Sequence, residues 1–409
     1  MSFGIALSGL NAAQTDLNVT ANNIANSATN GFKQSRSEFA ELFAVSPQGV
    51  ARNQFGNGVK VAAVAQQFTQ GNINTTNNSL DLAMSGQGFF VLSDGGATAY
   101  TRAGAFQVDN AGYVVNSQNQ RLQVYPAGAT GTFNTSTTTD LRLVTSESPP
   151  QATSSVETVF NLPANATEPT SAPFDPADPN SYNEARSVTI YDSLGAAHTA
   201  SLYWSKTANA NEWNMNVYVD GNAVGGPQVL QYSNTGVLTT PANGQIPLPA
   251  YDAAAGLATG AAPIQLNFDL SRSTQYGDTF GMTSSTQNGF TTGRLIGIDI
   301  DSTGVVQARF TNGRSTSLGQ VVIANFSNPQ GLQQLGNTNW SETNASGQPL
   351  YGQAGGSGYG LIQSGALEAS NVDITAQLVN MITAQRNFQA NAQMIQTADQ
   401  VTQTIINIR

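Results

Sequence analysis

Residues 21–39 read "ANNIANSATNGFKQSRSEF", and they join a regular apolar pattern to a segment that lacks it. Before Gly31, side chains recur at the spacing of a heptad repeat. These positions are Phe3, Leu7, Leu10, Leu17 and Ile24, with Gln14 and Ala21 in the same frame. Asparagines then crowd toward Gly31, and Asn and Gly are residues that commonly end helices. The stretch therefore predicts an N-terminal helix with a coiled-coil face that ends near residue 28.

The C-terminal part of the chain carries a second pattern of the same kind. Its positions alternate steps of four and three: Ile374, Leu378, Met381, Gln385, Phe388, Ala392 and Ile395. Ser370 or Asn371 is expected to cap the helix, and Asp373 is expected in the first turn, where the helix dipole favours an anion. We therefore expect a helix over about 371–407, roughly 55 Å long at 1.5 Å per residue.

Polar residues interrupt both heptad faces, because Gln14, Gln385 and Asp399 occupy seam positions. Neither helix is therefore expected to form a stable coiled coil by itself. We predict that the two terminal helices pair with each other, parallel or antiparallel, and bury their remaining apolar surface against neighbouring chains. The alternative is an ordinary two-helix hairpin inside a monomer. The residues predicted to form the assembly interface are Leu7, Leu10, Leu17, Ile24, Phe32, Ile374, Leu378, Met381, Phe388 and Ile395.

Between the helices, short runs of Val, Ile, Phe, Tyr and Thr alternate with turn residues, which is typical of antiparallel sheet. Three predicted hairpins share an Asp-x-x-Gly turn, at 109–112, 192–195 and 301–304. In such a turn Asp caps the backbone and Gly takes the left-handed conformation. The predicted fold class is α+β and mostly β: terminal helices form a coiled-coil domain, with nested antiparallel β domains inserted between them.

Two loop-like segments, 146–186 and 233–263, are rich in turn residues and indicate the edges of a separate unit. The predicted domains are a terminal coiled-coil domain (1–28 plus 368–409), a connector (29–70), an inner β domain (71–145 plus 286–367) and an outer inserted β domain (146–285). In the connector, "GFKQSRSEFAELF" (31–43) is expected to form a short helix and "GVKVAAVAQQF" (58–68) an extended strand.

The composition excludes several classes of protein. Only 10% of the 409 residues are charged and the net charge is −10, which argues against binding to nucleic acid. The chain has no cysteine, so disulfides and thiol chemistry are excluded. No basic residue precedes Lys33 and no apolar run approaches the ~18 residues of a membrane helix, so we expect neither a cleaved signal peptide nor membrane insertion.

No motif in the sequence indicates catalysis. His198 is the single histidine and is expected on the surface, which excludes histidine-dependent triads. The "DIDSTG" stretch begins like a calcium loop, but its twelfth position is Phe310 where an acid is required. The sparse carboxylates show no spacing that requires an acid/base pair of the glycosidase type. We therefore predict no enzyme activity, no cofactor and no metal.

Three blocks in order resemble the bacterial flagellar rod and hook axial proteins. The first is the opening stretch, the second is "LDLAMSGQGFFVL" with "YTRAGAFQVDNAGYVVN", and the third is "SGALEASNVDITAQLVNMITAQRNFQANAQMIQTAD". The long insertion, which includes "SVTIYDSLGAAHTASLYW", is similar to that of the hook members. The alternatives are a distal rod subunit and, third, a phage-tail or adhesin-like fibre protein.

The resemblance implies a subunit that polymerises into the flagellar hook, a flexible universal joint that passes torque from rod to filament and encloses an export channel. By resemblance, its partners are further copies of itself, the distal rod protein, the hook cap, the hook–filament junction protein and the flagellar export apparatus. The implied location is the hook, outside the cell, after export without a cleaved signal peptide.

Overall fold

The computed structural model describes residues 2–42, 56–128, 131–143, 147–252 and 260–407. Two long helices, α1 (Ser2–Ala25) and α2 (Ile374–Asn407), lie at the ends of the chain, and strands are the main regular structure among the described residues between them. The predicted fold class is therefore confirmed.

The strands are numbered in chain order. The first fourteen are β1 (Ser35–Glu41), β2 (Val59–Gln66), β3 (Ile73–Thr75), β4 (Leu82–Ser85), β5 (Phe89–Asp94), β6 (Ala97–Thr101), β7 (Gln107–Val108), β8 (Val114–Val115), β9 (Arg121–Pro126), β10 (Thr139–Asp140), β11 (Ser155–Pro163), β12 (Glu184–Tyr191), β13 (Ala197–Lys206) and β14 (Glu212–Val219). The others are β15 (Asn222–Ala223), β16 (Gln228–Tyr232), β17 (Leu238–Thr240), β18 (Gln245–Pro247), β19 (Asn267–Asp269), β20 (Thr274–Tyr276), β21 (Gly281–Gln287), β22 (Leu295–Ile300), β23 (Val305–Phe310), β24 (Ser315–Asn325), β25 (Gln333–Gly336), β26 (Asn339–Ser341), β27 (Leu350–Gln353), β28 (Leu361–Ser364) and β29 (Ala366–Glu368).

The chain divides into two compact units. The terminal unit contains both helices and comprises 1–145, 297–309 and 315–409. The inserted unit comprises 146–296 and 310–314, so it extends beyond residue 285 and takes in a short hairpin tip.

The terminal unit is built on one large sheet in which β22, β23, β24, β9, β5, β6, β26 and β25 are neighbours in that order. Its central strand β5 is buried on both faces. Phe90 and Leu92 pack into one apolar cluster, and Phe89 and Val91 pack into a second. A strand covered on both sides reads as a continuous apolar run, which explains the "FFVL" sequence.

The inserted unit packs two sheets around a single apolar cluster. One sheet has the order β12-β13-β14-β16-β17, and the other is centred on β11. Trp204 and Trp213 are fully buried between them with Phe160 and Phe268. The pairing is mostly antiparallel, but β11 runs parallel to β19 and β20, which the sequence analysis did not anticipate.

The three Asp-x-x-Gly turns form as predicted. Their aspartates are Asp109, Asp192 and Asp301, and each places one carboxylate oxygen 2.8–2.9 Å from backbone amides two and four residues later. The final glycine of each turn has a positive φ, between 80° and 86°. These turns depend on local chemistry alone, which is why the sequence predicts them.

The connector differs from its prediction. The expected helix over 31–43 is wrong where the structure describes it, because β1 (Ser35–Glu41) is a strand that pairs antiparallel with β2. Strand β2 itself confirms the predicted strand at 58–68. The Ser8 hydroxyl of α1 accepts a hydrogen bond of 3.1 Å from the Val59 amide, so the hairpin is also tied to the first helix. Pairing with β2 therefore decides the conformation of this segment over its local sequence.

The start of α2 also differs from its prediction. The helix begins at Ile374, and its cap is Asp373 rather than Ser370 or Asn371. The Asp373 carboxylate accepts hydrogen bonds from the amides of Thr375 (2.8 Å) and Ala376 (3.2 Å). Asn371 makes other contacts, described below.

Candidate assembly surface

The two terminal helices pair antiparallel. Near the end of α1, Asn23 Nδ2 lies 3.3 Å from Gln377 Oε1, close to the start of α2. Farther along, a Cβ added at Gly9 would lie 2.5 Å from Asn391 Oδ1. At the start of α1, Phe3 lines a groove with Thr397 of α2. Residue numbers increase along α1 in the direction in which they decrease along α2. The two helices are therefore antiparallel, which the sequence had left open.

Small and polar residues form the contact between the helices, hereafter the seam. Buried residues at a seven-residue spacing are Ala6, Ala13 and Thr20 on α1 and Gln377 and Ala384 on α2, and Ala12 and Asn23 of α1 are buried as well. With Gly9 they allow the two backbones to approach closely. The heptad period is therefore present, and the fully buried residues of the two helices are small or polar rather than large and apolar.

None of the ten residues predicted for assembly is fully buried. Leu7, Ile374 and Leu378 keep 42%, 49% and 47% of their surface exposed. The other seven are half-buried: Leu10, Leu17, Ile24, Phe32, Met381, Phe388 and Ile395. The structure thus leaves all ten with apolar surface that another molecule can cover.

Sequence reasoning missed further exposed apolar residues on the same helices: Phe3, Ile5, Val379, Ile382, Met394, Val401 and Ile406. Phe3 was counted in the heptad frame but was not selected for the interface. Val401 lies on the apolar face that drifts away from the heptad frame beyond Ile395, and the others fall outside that frame, so a search restricted to one seam could not find them. Exposed large apolar residues gathered on one pair of helices indicate an interaction site. We call the predicted and missed residues together the apolar helix surface.

The second helix extends beyond the first. Phe3 lies beside Thr397, whereas α2 continues to Asn407, an overhang about 15 Å long at 1.5 Å per residue. An open groove of about 780 Å³ lies where the overhang begins, lined by Phe3, Met394 and Val401 among others. The apolar helix surface is therefore continuous with a segment that has no partner helix among the described residues.

A buried ion cluster connects the N- and C-terminal segments to the β structure of the terminal unit. Lys33 Nζ lies 2.6 Å from Glu368 Oε1, and one Arg102 nitrogen lies 3.3 Å from Glu368 Oε2. The Lys33 and Glu368 side chains are fully buried, and Arg102 is nearly so. Burial lowers the pKa values of Lys33 and Arg102 below their ordinary values, although the charge of Glu368 opposes this. Sequence reasoning missed all three residues.

Gly31 of the opening stretch has a steric role beside this cluster. Its φ is +69°, and a Cβ placed there would lie 2.5 Å from the Ala103 amide nitrogen. Its own amide donates to the Glu368 carbonyl at 2.8 Å. The position therefore requires glycine both for its conformation and for its close approach to the β structure.

Amide side chains fasten the adjoining segments. Asn23 exchanges two hydrogen bonds with the backbone of Ser35, at 2.8 and 2.9 Å. Asn371 accepts from the Gln34 amide at 2.8 Å and donates to the Gln67 carbonyl at 2.8 Å. Asn23 near the end of α1 and Asn371 just before α2 thus join both helices to the β1–β2 hairpin and the residues beside it.

The inserted unit holds the histidine, and its position corrects the prediction of a surface residue. The His198 side chain is only 11% exposed, with Nδ1 2.6 Å from Asp220 and Nε2 3.5 Å from Asp192. Burial raises the pKa of Asp192, but hydrogen bonds from backbone amides and from His198 outweigh it and leave the pKa below its ordinary value. Among the described residues, no group of three or more His, Cys, Asp or Glu could hold a metal ion.

Comparison with known proteins identifies the family. Family profiles match at 3–33 (Flagella basal body rod protein), 83–170 (Flagellar hook protein FlgE/F/G D1 domain), 161–290 (Flagellar basal body protein FlaE D2 domain) and 363–408 (Flagellar basal body rod FlgEFG protein C-terminal). The chain is 40% identical to the flagellar hook protein FlgE of Escherichia coli (strain K12) over 100% of both chains. It is 32% identical to that of Borreliella burgdorferi over 98% of both.

The chain belongs to the flagellar hook protein family. The resemblance read from the three sequence blocks is thereby confirmed, and the rod and fibre alternatives are not favoured. A solved structure, the Helicobacter pylori flagellar hook protein FlgE2, superposes with a TM-score of 0.53 over 72% of this chain and 100% of that one. At 13% identity this likeness supports the fold alone.

Two further features concern the described helices. Neither helix, within the residues that the structure covers, is long and apolar enough to cross a membrane. Their exposed apolar residues are instead distributed along a pair whose seam is filled by small side chains.

Proposed function

We propose that this hook-family chain polymerises through its apolar helix surface into the flagellar hook. The observation that carries the proposal is the difference between the buried and the exposed residues of the two helices. The seam takes the small residues, whereas Leu7, Ile374 and Leu378 remain about half exposed. A repeated heterologous contact that does not close into a ring generates a helical polymer. The same difference argues against a two-helix hairpin inside a monomer, because a monomer would leave this apolar surface in water.

We further propose a layered polymer that follows the predicted four-part domain division. In this proposal the paired helices, 1–28 plus 368–409, form an inner tube around an export channel. The inner β domain (71–145 plus 286–367), the connector (29–70) and the inserted β domain (146–285) lie outside it. The charge-poor surface of the chain suits contacts that exchange at low cost while the joint bends, because few ion pairs must be broken. In this way the polymer acts as a universal joint.

We extend the proposal to location and partners. The homologues are structural hook proteins, which supports a structural role for this chain. We place it outside the cell, exported by the flagellar export apparatus without a cleaved signal peptide. The distal rod protein, the hook cap and the hook–filament junction protein are its proposed neighbours at the ends of the hook. Nucleic acid and membrane are not proposed partners.

Truncation tests the assembly role of the helices. The full chain and chains lacking 2–28 or 374–409 are purified, concentrated and examined by sedimentation and electron microscopy. We expect curved tubes of uniform width from the full chain, and soluble subunits with an intact inserted unit from both truncated chains. Straight tubes from the full chain would favour the rod alternative. Tubes from a truncated chain would contradict the role given to the helices.

A further inference from the structure

The turn between β23 and β24 is part of the inserted unit, although most of both strands belongs to the terminal unit. We call this turn, residues 310–314, the tip. The long insertion itself enters and leaves the inserted unit through two further segments, 148–151 and 290–294, hereafter the first and second crossing. Three separate segments of chain therefore meet the inserted unit where it is attached.

The two crossings pair with each other as a short antiparallel ladder. The backbones of Ser148 and Gly293 exchange hydrogen bonds of 2.8 and 3.3 Å, and those of Gln151 and Phe290 exchange two of 3.0 Å. An isolated pair of strands is only marginally stable in water, and a third strand or another packed element is needed to stabilise it. The crossings therefore require support from a further segment.

The tip supplies this support on the other side of the second crossing. The Arg294 amide donates to Thr311 Oγ1 at 3.0 Å, and the Thr311 amide donates back to the Arg294 carbonyl at 2.9 Å. Asn312 Nδ2 donates to the Thr291 carbonyl at 2.9 Å. The second crossing is thus hydrogen-bonded on both sides, to the first crossing and to the tip.

Packing at the tip is close and depends on particular side chains. A Cβ placed at Gly293 would lie 2.7 Å from Asn312 Cγ, so a glycine at this position permits the tip to approach. The Arg314 guanidinium lies over the Phe290 ring, 4.7 Å from its centroid, which is a cation–π contact. Asn312 Oδ1 accepts from the Arg314 amide at 3.1 Å. One asparagine side chain therefore closes the tip and also binds the second crossing.

We infer that the tip braces the crossings and limits independent movement of the inserted unit while the polymer bends. The tip is continuous with β23 and β24, two neighbouring strands of the large sheet, so it connects the second crossing to that sheet by covalent bonds on both sides. Without the tip, the two paired crossings would form a loose hinge. This inference rests on the proposed function, because the bending that loads the crossings arises only in the polymer.

Two substitutions remove the brace by different routes. Asn312→Asp keeps the oxygen that accepts from the Arg314 amide but loses the donor to the Thr291 carbonyl. Thr311→Val keeps the shape of the side chain but loses the acceptor for the Arg294 amide. Each leaves one backbone group of the second crossing unpaired, and neither alters the ladder between the crossings directly.

Hydrogen exchange on the full-length free subunit tests the brace. Exchange is followed in peptides covering 146–153 and 288–296 for the native chain and both variants. We expect each variant to accelerate exchange in both peptides on the order of tenfold, because an unpaired polar group destabilises the braced arrangement. Asn110→Asp makes the same chemical change at an exposed position of another hairpin turn, so it is the matched control and should change neither peptide.

A third peptide separates loss of the brace from a folding defect. Residues 213–219 lie in β14, whose large apolar side chains are buried in the core of the inserted unit, and they should stay protected in all variants. Equal acceleration in this peptide and at the crossings would overturn the inference, as would unchanged exchange at the crossings. If Asn312→Asp fails to fold, Thr311→Val decides the question by the same criteria.

Electron microscopy of tubes tests the brace in the polymer. We expect Asn312→Asp to form tubes of native width with a broader spread of curvature. Tubes with the native spread of curvature, from a variant whose crossings exchange faster, would overturn the inference alone. Failure of the native chain to form tubes would refute the proposed function alone, because exchange in the free subunit shows by itself whether the tip supports the crossings.

Discussion

Leu378 offers the sharpest test of the apolar helix surface. It lies in the first turns of α2 with 47% of its surface exposed, and the seam residue Gln377 next to it is buried. Replacing Leu378 therefore alters the outward surface of the helix pair more than the seam. Leu378→Asp places a charge on that surface, Leu378→Ala removes its apolar bulk, and Leu378→Met keeps both size and polarity as the matched control.

The expected magnitudes follow from the exposed fraction. Full burial of a leucine side chain is worth about 1.5–3 kcal/mol, so covering the remaining 47% is worth about 0.7–1.4 kcal/mol per subunit. Losing this contribution in Leu378→Ala should raise the critical concentration for polymerisation about 3- to 10-fold. In Leu378→Asp the carboxylate must also be desolvated, at a cost of several kcal/mol. That variant should not polymerise at any accessible concentration.

The assay is the concentration of subunit left in the supernatant after seeded polymerisation and sedimentation. Unfolding of the inserted unit, followed by fluorescence of Trp204 and Trp213 in its core, serves as the folding control and should be the same in all variants. Polymerisation of Leu378→Asp at the native critical concentration would refute the role of this surface. A fall in the stability of the inserted unit in the same variant would point instead to a general folding defect.

Three further predictions concern the seam, the stability of the inserted unit and its deletion. Ala13→Leu should overpack the seam by about 1–3 kcal/mol and raise the critical concentration, whereas Ala25→Leu, at an exposed position outside the heptad frame, should not. Equal effects of the two substitutions would contradict the seam. Burial raises the pKa of Tyr232, so an unfolded chain loses this proton first. The contribution of Tyr232 to the free energy of unfolding of the inserted unit should therefore be fully present below about pH 10 and fall above it by about 1.4 kcal/mol per pH unit. Urea titrations of the Tyr232→Phe variant should not show this slope. The Ser148 amide donates a hydrogen bond of 2.8 Å to the Gly293 carbonyl, so residues 149–292 can be replaced by a short Gly/Ser bridge. The deleted chain should form straight or irregular tubes by electron microscopy. Complete absence of tubes from folded subunit would show that the inserted unit is needed for assembly.

Local chemistry explains which features the sequence predicts. The terminal helices follow from apolar spacing and the three Asp-x-x-Gly turns from side-chain capping, and both require only residues close in the chain. The cap of α2 was placed wrongly at Ser370 or Asn371 although Asp373 is also a good capping residue. Asn371 does not cap the helix because its side chain is hydrogen-bonded to Gln34 and Gln67, which lie more than 300 positions earlier. Long-range competition of this kind leaves no mark on the local pattern.

The seam and the ion cluster were beyond sequence reasoning for a different reason. Alanine and glycine carry almost no periodic hydrophobic signal, so Ala6 and Ala13 were hidden beside the stronger pattern of leucines. Lys33 and Glu368 are separated by 335 positions. Their charges therefore gave no sign of pairing. The spacing predicted that an apolar surface exists on the helices, but not that a second face would take the intrachain contact.

The separation of these two faces determines where the energy for assembly must come from. A seam of Ala, Gly, Thr and Gln buries few methylene groups, and each buried methylene is worth only about 0.8 kcal/mol. The Asn23–Gln377 hydrogen bond adds about 0.5–1.5 kcal/mol more. A leucine-filled seam would stabilise the free subunit but would leave little apolar surface for neighbours. By holding its helices together weakly through small residues, the chain keeps its large apolar side chains available, so most of the stability of the helix layer has to be gained in the polymer.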